Sequence, residues 1–257
     1  MITVLIAGVA AAMPLSKAVD RALEADDALV GASIGLEVVD GAGEVRVAVD
    51  PDRRLIPASI TKWVTAAAAA ETLSLDFRFE TGIAATGYTE GDVLHGDLVV
   101  IGGGDPSLGD PEVGIVAADV AALLRGLGVS AVDGDVVVDA SRFDGPPHGP
   151  GWMWDDLAFP YSPPYAAANV AHNLARPGVG CAARGAPGSP VVDPPLCLGE
   201  VLRDGLAAAG VPVSGAAVVR SAPDAAAIGA LRSAPLRDLL RTMLVESDNL
   251  YALGVQV

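Results

Sequence analysis

Positive charge is scarce in this sequence: 16 lysines and arginines stand against 32 aspartates and glutamates in 257 residues, a formal net charge of −16. That balance has the wrong sign for gripping a phosphate backbone and argues against nucleic acid as a partner. Cysteine is almost absent. Cys181 and Cys197 are the only two, which excludes a disulfide-rich scaffold, a C-x-x-C redox pair and a cysteine zinc cluster. A bridge between them and two plain buried thiols both remain open. Only three histidines occur, His95, His148 and His172, too far apart for metal-ligand spacing. No stretch supplies the roughly 20 consecutive apolar residues of a membrane span. The positive mean hydropathy of +0.45 comes from alanine and valine spread along the chain, which reads as globular and soluble, with any membrane attachment left to a segment upstream of residue 1. The apolar start Met1 to Met13 ends in small residues, as a secretory signal does, but lacks a basic n-region. It supports export weakly.

What is present changes character along the chain. Leu15 to Leu29 carries apolar residues at Ala18, Ala22, Leu23 and Leu29 between charges, the pattern of an amphipathic helix that packs on a sheet. Ile34–Val39 and Val45–Val49 flank a Gly-containing turn and read as a hairpin. Pro57-Ala58-Ser59-Ile60-Thr61-Lys62-Trp63-Val64-Thr65 then runs into five alanines, a helix whose small side chains suit close packing within a domain. After Asp76 come short strands broken by Gly and Asp, a helix over Val116–Leu127 and the strand Val136–Asp139. A proline-rich loop follows from Phe143 to Tyr165, and loops of that length are commonly functional or disordered. Helices near Leu198–Ala209 and Pro235–Val245 flank a strand at Ala216–Arg220.

Ser59 and Lys62 are three apart at a helix start, so the amine can reach the hydroxyl. The helix N-terminus disfavours a protonated lysine and stabilises negative charge on an attacking serine and an attacked carbonyl. The bland alternative is Ser59 as a helix cap and Lys62 snorkelling to solvent. With 13 serines and two lysines in the chain, a Ser-x-x-Lys match is expected by chance only about 0.1 times. A second element, Ser247-Asp248-Asn249, stands at the close of a predicted helix, where in isolation it would be an ordinary helix end and turn.

Together, in this order, the two elements resemble those of the penicillin-recognising serine acyl enzymes. The chain is similar to low-molecular-weight class C penicillin-binding proteins, the D-Ala-D-Ala carboxypeptidase/endopeptidase group of the DacB type, from about Ala32 to Ala252. The likeness also rests on Gly96-Asp97-Leu98 through Gly102-Gly103-Gly104-Asp105-Pro106, on Gly134 to Asp139 with Phe143, on Gly151-Trp152 with Tyr161-Ser162-Pro163-Pro164, and on Leu250-Tyr251-Ala252. The resemblance implies an α/β penicillin-binding domain, serine β-lactamase-like, over residues 1–76 and 234–257, with an α+β accessory insertion over 77–233. It implies Ser59 as nucleophile, Lys62 as its base, Ser247 as proton relay and Asn249 as holder of a substrate amide and of Lys62. Asp156 and Tyr161 match positions that contact the side-chain amine of a stem peptide's diamino acid, although their aromatic-rich surroundings also fit a packed cluster. It further implies an exported enzyme acting on peptidoglycan stem peptides, acylated by β-lactams and needing no cofactor.

Two departures accompany the likeness. No Lys-Thr-Gly follows Asn249, so the sequence resembles the front part of a longer enzyme, and these residues alone are expected to be inactive. The connector between Arg176-Pro177-Gly178 and Val191-Val192-Asp193 is short, where relatives carry several strands. A non-catalytic wall-binding protein, and an esterase or β-lactamase using the same chemistry, are the alternatives. Gly102-Gly103-Gly104-Asp105-Pro106 lacks the lysine of a nucleotide loop and suits a tight turn.

Overall fold

The computed structural model describes residues 13–110, 116–175, 181 and 188–256. The signal-like start before Met13, and all of the connector at 176–187 except Cys181, lie outside the described residues. The chain divides into two compact units, Met1–Ala58 and Ser59–Val257.

In the first unit, helix α1 (Leu15–Glu24) is followed by a 3-10 turn at Asp27–Leu29, and strands β1 (Leu36–Val39) and β2 (Val45–Val49) pair antiparallel. Asp40 fixes their turn by accepting the amides of Ala42 and Glu44 at 2.9 and 3.0 Å. The expected helix and hairpin are both there. The helix buries no residue fully, because a two-stranded ribbon offers too little surface to cover an apolar stripe.

The second unit is built on a five-stranded sheet of order β10-β3-β6-β8-β9. Its strands are β3 (Glu80–Ala85), β6 (Leu98–Ile101), β8 (Val136–Asp139), β9 (Ala217–Val219) and β10 (Ala226–Arg232). β6, β8 and β9 run parallel, β3 alone runs against them, and β10, antiparallel to β3, shares their direction. A smaller sheet joins β4 (Tyr88–Glu90), β5 (Val93–His95) and β7 (Ala131–Asp133). Alternation along the central strands sets two faces. Ile83, Leu98, Val100, Val136 and Val138 meet helices α3 (Val116–Gly126) and α4 (Pro194–Ala208) in the larger core, while Ala84, Val99 and Val137 pack under Ala222. Cys181 is joined to Cys197 of α4 within the larger core.

A separate core belongs to three helices, α2 (Thr61–Leu73), α5 (Leu236–Val245) and α6 (Asn249–Gly254). Leu236, Leu239, Leu240 and Met243 recur at helical spacing on α5 and pack with Ala66 and Ala69 of α2 and with Tyr251 and Val255. Only one stripe of α2 is buried, Lys62, Ala66 and Ala69; its opposite face exposes Trp63 and Val64. The chain leaves this cluster and returns to it side by side. Leu236 donates its amide to Phe77 O at 2.8 Å and Ser233 donates to Phe79 O at 3.0 Å.

Candidate active site

Ser59 lies in a single 3-10 turn leading into α2, and Lys62 is in the first turn of that helix. The small side chains of Ala66 and Ala69 let α2 lie close against α5 and α6, which carries Lys62 inward until it is 7% exposed. Its Nζ is 3.1 Å from Ser59 Oγ, 3.4 Å from Ser247 Oγ and 2.5 Å from Asn249 Oδ1. Burial pushes the Lys62 amine below its ordinary range, against the opposing charge of Asp248. Three acceptors match the three protons of an ammonium. A neutral amine in the same place takes the Ser59 proton on its lone pair while still donating to Ser247 and Asn249. Ser59 itself is exposed, so its oxygen faces solvent on one side and a base on the other.

The second element lies at the close of α5, where its place in the sequence puts it, in a strained turn. Ser247 sits at φ +56°, a left-handed conformation that costs a non-glycine residue energy and persists only where its surroundings fix it. They do so through Asp248, whose amide donates to Met243 O at 3.1 Å, closing α5. Its Oδ1 accepts the Tyr251 amide at 2.9 Å, capping α6. Between these two attachments the turn presents Ser247 and Asn249 to Lys62. Asn249 Nδ2 donates to the backbone oxygen of Tyr161 at 2.7 Å, which ties the proline-rich loop to the site.

Ser59, Lys62, Ser247 and Asn249 are thus brought together. Tyr161 joins them through its backbone, and its ring is half exposed. Asp156 does not touch them; its Oδ1 accepts the Tyr161 hydroxyl at 2.7 Å on the open surface. A cavity of about 200 Å³ beside the turn is lined by Tyr161, Pro163, His172, Ser247, Asp248 and Asn249, among others. Gly102–Gly104 is a structural turn. A Cβ on Gly103 would lie 1.8 Å from Glu80 O, and Gly104 has φ +85°.

The family model described as D-Ala-D-Ala carboxypeptidase 3 (S13) matches residues 15–195 and 180–256. The chain belongs to that family. As an S13 member it is 40% identical over 161 residues to a D-alanyl-D-alanine carboxypeptidase of Actinomadura sp. (strain R39), a match covering 62% of this chain and 29% of that one. It is 35% identical over 119 residues to the D-alanyl-D-alanine carboxypeptidase DacB of Haemophilus influenzae, covering 46% of this chain and 24% of that one. The crystal structure of penicillin binding protein 4 (dacB) from Haemophilus influenzae superposes with a TM-score of 0.68 at 23% identity, over 83% of this chain and 59% of that one. The chain therefore has the α/β fold of that structure. The match spans less than a third of the length of each of the two curated relatives.

Sequence reasoning misses His172, whose distance from His95 and His148 offers no ligand spacing. Its Nε2 is 2.8 Å from Asp110 Oδ2 and its Nδ1 is 2.7 Å from Asp248 Oδ2, with the ring stacked on Tyr251 at 5.5 Å between centroids. Burial alone lowers its basicity, but hydrogen bonds to Asp110 and Asp248 outweigh that and raise its pKa to about 9. These partners are scattered along the chain, and no local signal joins them.

Proposed function

We propose that this chain carries the serine acyl-transfer centre of a D-Ala-D-Ala carboxypeptidase/endopeptidase that cleaves peptidoglycan stem peptides. The observation that carries the reading is the buried Lys62 Nζ, lying 3.1 Å from an exposed serine and held by Ser247 and Asn249. In the first step Ser59 Oγ bonds to the carbonyl carbon of the penultimate D-Ala as its proton passes to Lys62 Nζ. The C–N bond then breaks, and the leaving D-Ala amine receives that proton by way of the Ser247 hydroxyl, 3.4 Å from Lys62. Water hydrolyses the ester and restores Ser59. Asn249 holds Lys62 through Oδ1 and is placed to receive a substrate amide. The same serine would be acylated by penicillin. A solved Haemophilus influenzae penicillin binding protein 4, which shares this fold at a TM-score of 0.60, is a complex with a β-lactam.

In this reading Asp156 and Tyr161, tied to each other and to the Asn249 loop, bind the side-chain ammonium of the stem peptide. Residues 1–76 with 234–257 form the penicillin-binding domain, and 77–233 form the insertion. The separate helical core and the side-by-side crossings at Phe77 and Leu236 favour that division. Export to the cell-wall side of the membrane follows from the substrate, and the Cys181–Cys197 bridge is at home in an oxidising compartment. The test is release of D-Ala from a peptide ending in L-Lys-D-Ala-D-Ala by the complete gene product. Release that is lost in Ser59→Ala is the expected result; release that survives Ser59→Ala refutes the assignment.

A further inference from the structure

The acyl-transfer centre makes no use of a largely buried charged cluster around His172. His172 sits in a tight turn in which Ala171, His172 and Asn173 all have positive φ, at 49°, 59° and 53°. No glycine relieves them, so the conformation needs external support. Asn173 supplies it from complete burial: its Oδ1 accepts the Val170 amide at 2.8 Å, and its Nδ2 donates to Pro164 O at 2.8 Å and Asn169 Oδ1 at 2.7 Å. Asn169, also fully buried, reaches on to Asp105 O at 3.2 Å. The imidazole is thus mounted on a rigid base, aimed at the turn that carries Ser247 and Asn249.

Both ring nitrogens face carboxylate oxygens, Asp110 on one side and Asp248 on the other. Ionised carboxylates only accept hydrogen bonds, so a ring satisfied at both ends carries a proton on each nitrogen. The Tyr251 hydroxyl donates to the same Asp110 oxygen at 2.9 Å, and Glu246 lines the neighbouring cavity. Asp248 is the joint. One of its oxygens caps α6, the other accepts a hydrogen bond from His172 Nδ1–H, and its charge acts on Lys62. Without His172, two carboxylates would face each other across the vacated space, and Asp248 would turn its full charge on Lys62.

We propose that His172 is a positioning residue for the reaction: clamped as an imidazolium between Asp110 and Asp248, it holds the Ser247-Asp248-Asn249 turn so that Ser247 and Asn249 face Lys62. This rests on the acyl-transfer reading above, but part of its test needs no substrate. In His172→Gln of the complete gene product, amide hydrogen exchange at residues 245–252 should quicken at least about tenfold while β6 and β8 keep their protection. Penicillin acylation should slow by roughly tenfold to a hundredfold through misplacement of the turn. Its acid limb should move to higher pH, because Asp248, released from His172, favours protonated Lys62. Unchanged exchange in the turn together with an unmoved acid limb overturns the proposal. Should the variant fail to fold, nitrogen NMR of the His172 ring in the unmodified protein decides: two protonated nitrogens at neutral pH support the clamp, and a single one overturns it. An unmodified protein that acquires no penicilloyl group refutes the acyl-transfer reading, and the catalytic part of this role with it, whatever the exchange shows.

Discussion

Raising the pH from 6 to 9.5 should weaken this protein through His172, and the structure sets the size of the effect. The ring has two carboxylate partners, and its pKa is raised to about 9 from an ordinary 6.5. Its side chain is 15% exposed, so solvent screening does not erase the interaction. A shift of that size corresponds to about 3 kcal/mol of folding stability. The folded-state pKa lies above the unfolded one, so the contribution is fully present below about 6.5 and is lost as pH rises through about 9. Other groups titrate in the same window, and the informative quantity is therefore a difference. Urea unfolding of the wild type and of His172→Gln at both pH values should show their stability gap shrinking by about 3 kcal/mol from pH 6 to pH 9.5. Two curves that run parallel across that range would refute the claim that His172 stores a proton between Asp110 and Asp248.

The site residues set further outcomes. Lys62→Arg keeps the charge but removes the base, so acylation by penicillin should fall by roughly 100-fold to 10,000-fold, and adding it to Ser59→Ala should cost nothing further in a rate assay. Asp156→Asn should lower kcat/KM by roughly 10-fold to 150-fold for peptides with a free side-chain amine, as one charge-assisted hydrogen bond is lost. Acetylated peptides should be spared, and equal slowing of both would make Asp156 structural. Gly103→Ala drives a methyl to 1.8 Å from Glu80 O and should cost about 3 kcal/mol or more in a denaturant midpoint measurement; a neutral result would show that β3 and the Gly-rich turn move apart freely.

The elements that the sequence disclosed were those with a strong local pattern. The β1–β2 hairpin, the alanine-rich α2, the valine runs of β6 and β8 and the helical spacing of α5 were all legible, because period and propensity agree in each. Strand β10 was not. Ala226–Arg232 has little β-propensity and becomes a strand by pairing with β3, with an irregularity between Ala227 and Gly229. The amphipathic stripe of α1 was legible too, yet no residue of that helix is fully buried. At the site, Ser59, Lys62, Ser247 and Asn249 could be picked out by spacing and order, but their convergence on one amine is a property of the fold. The left-handed Ser247 and the short helix after Asp248 had no signal, since serine does not advertise a positive φ as glycine would. His172 is the clearest miss. Its meaning lies in Asp110, Asp248 and Tyr251, residues from two other segments that only tertiary structure brings against it.

The central claim is that Ser59, activated by Lys62, is the acylated nucleophile. It is tested most directly by treating the complete gene product with penicillin, digesting it with trypsin and locating the adduct by mass spectrometry. Cleavage after Arg54 and Lys62 isolates the short peptide Leu55–Lys62, in which Ser59 is the only serine. A penicilloyl group on that peptide, absent from Ser59→Ala, is the result this account predicts. An adduct on the Ser247 peptide instead, or a wild-type protein that stays unlabelled under conditions that label the Haemophilus influenzae relative, would contradict it.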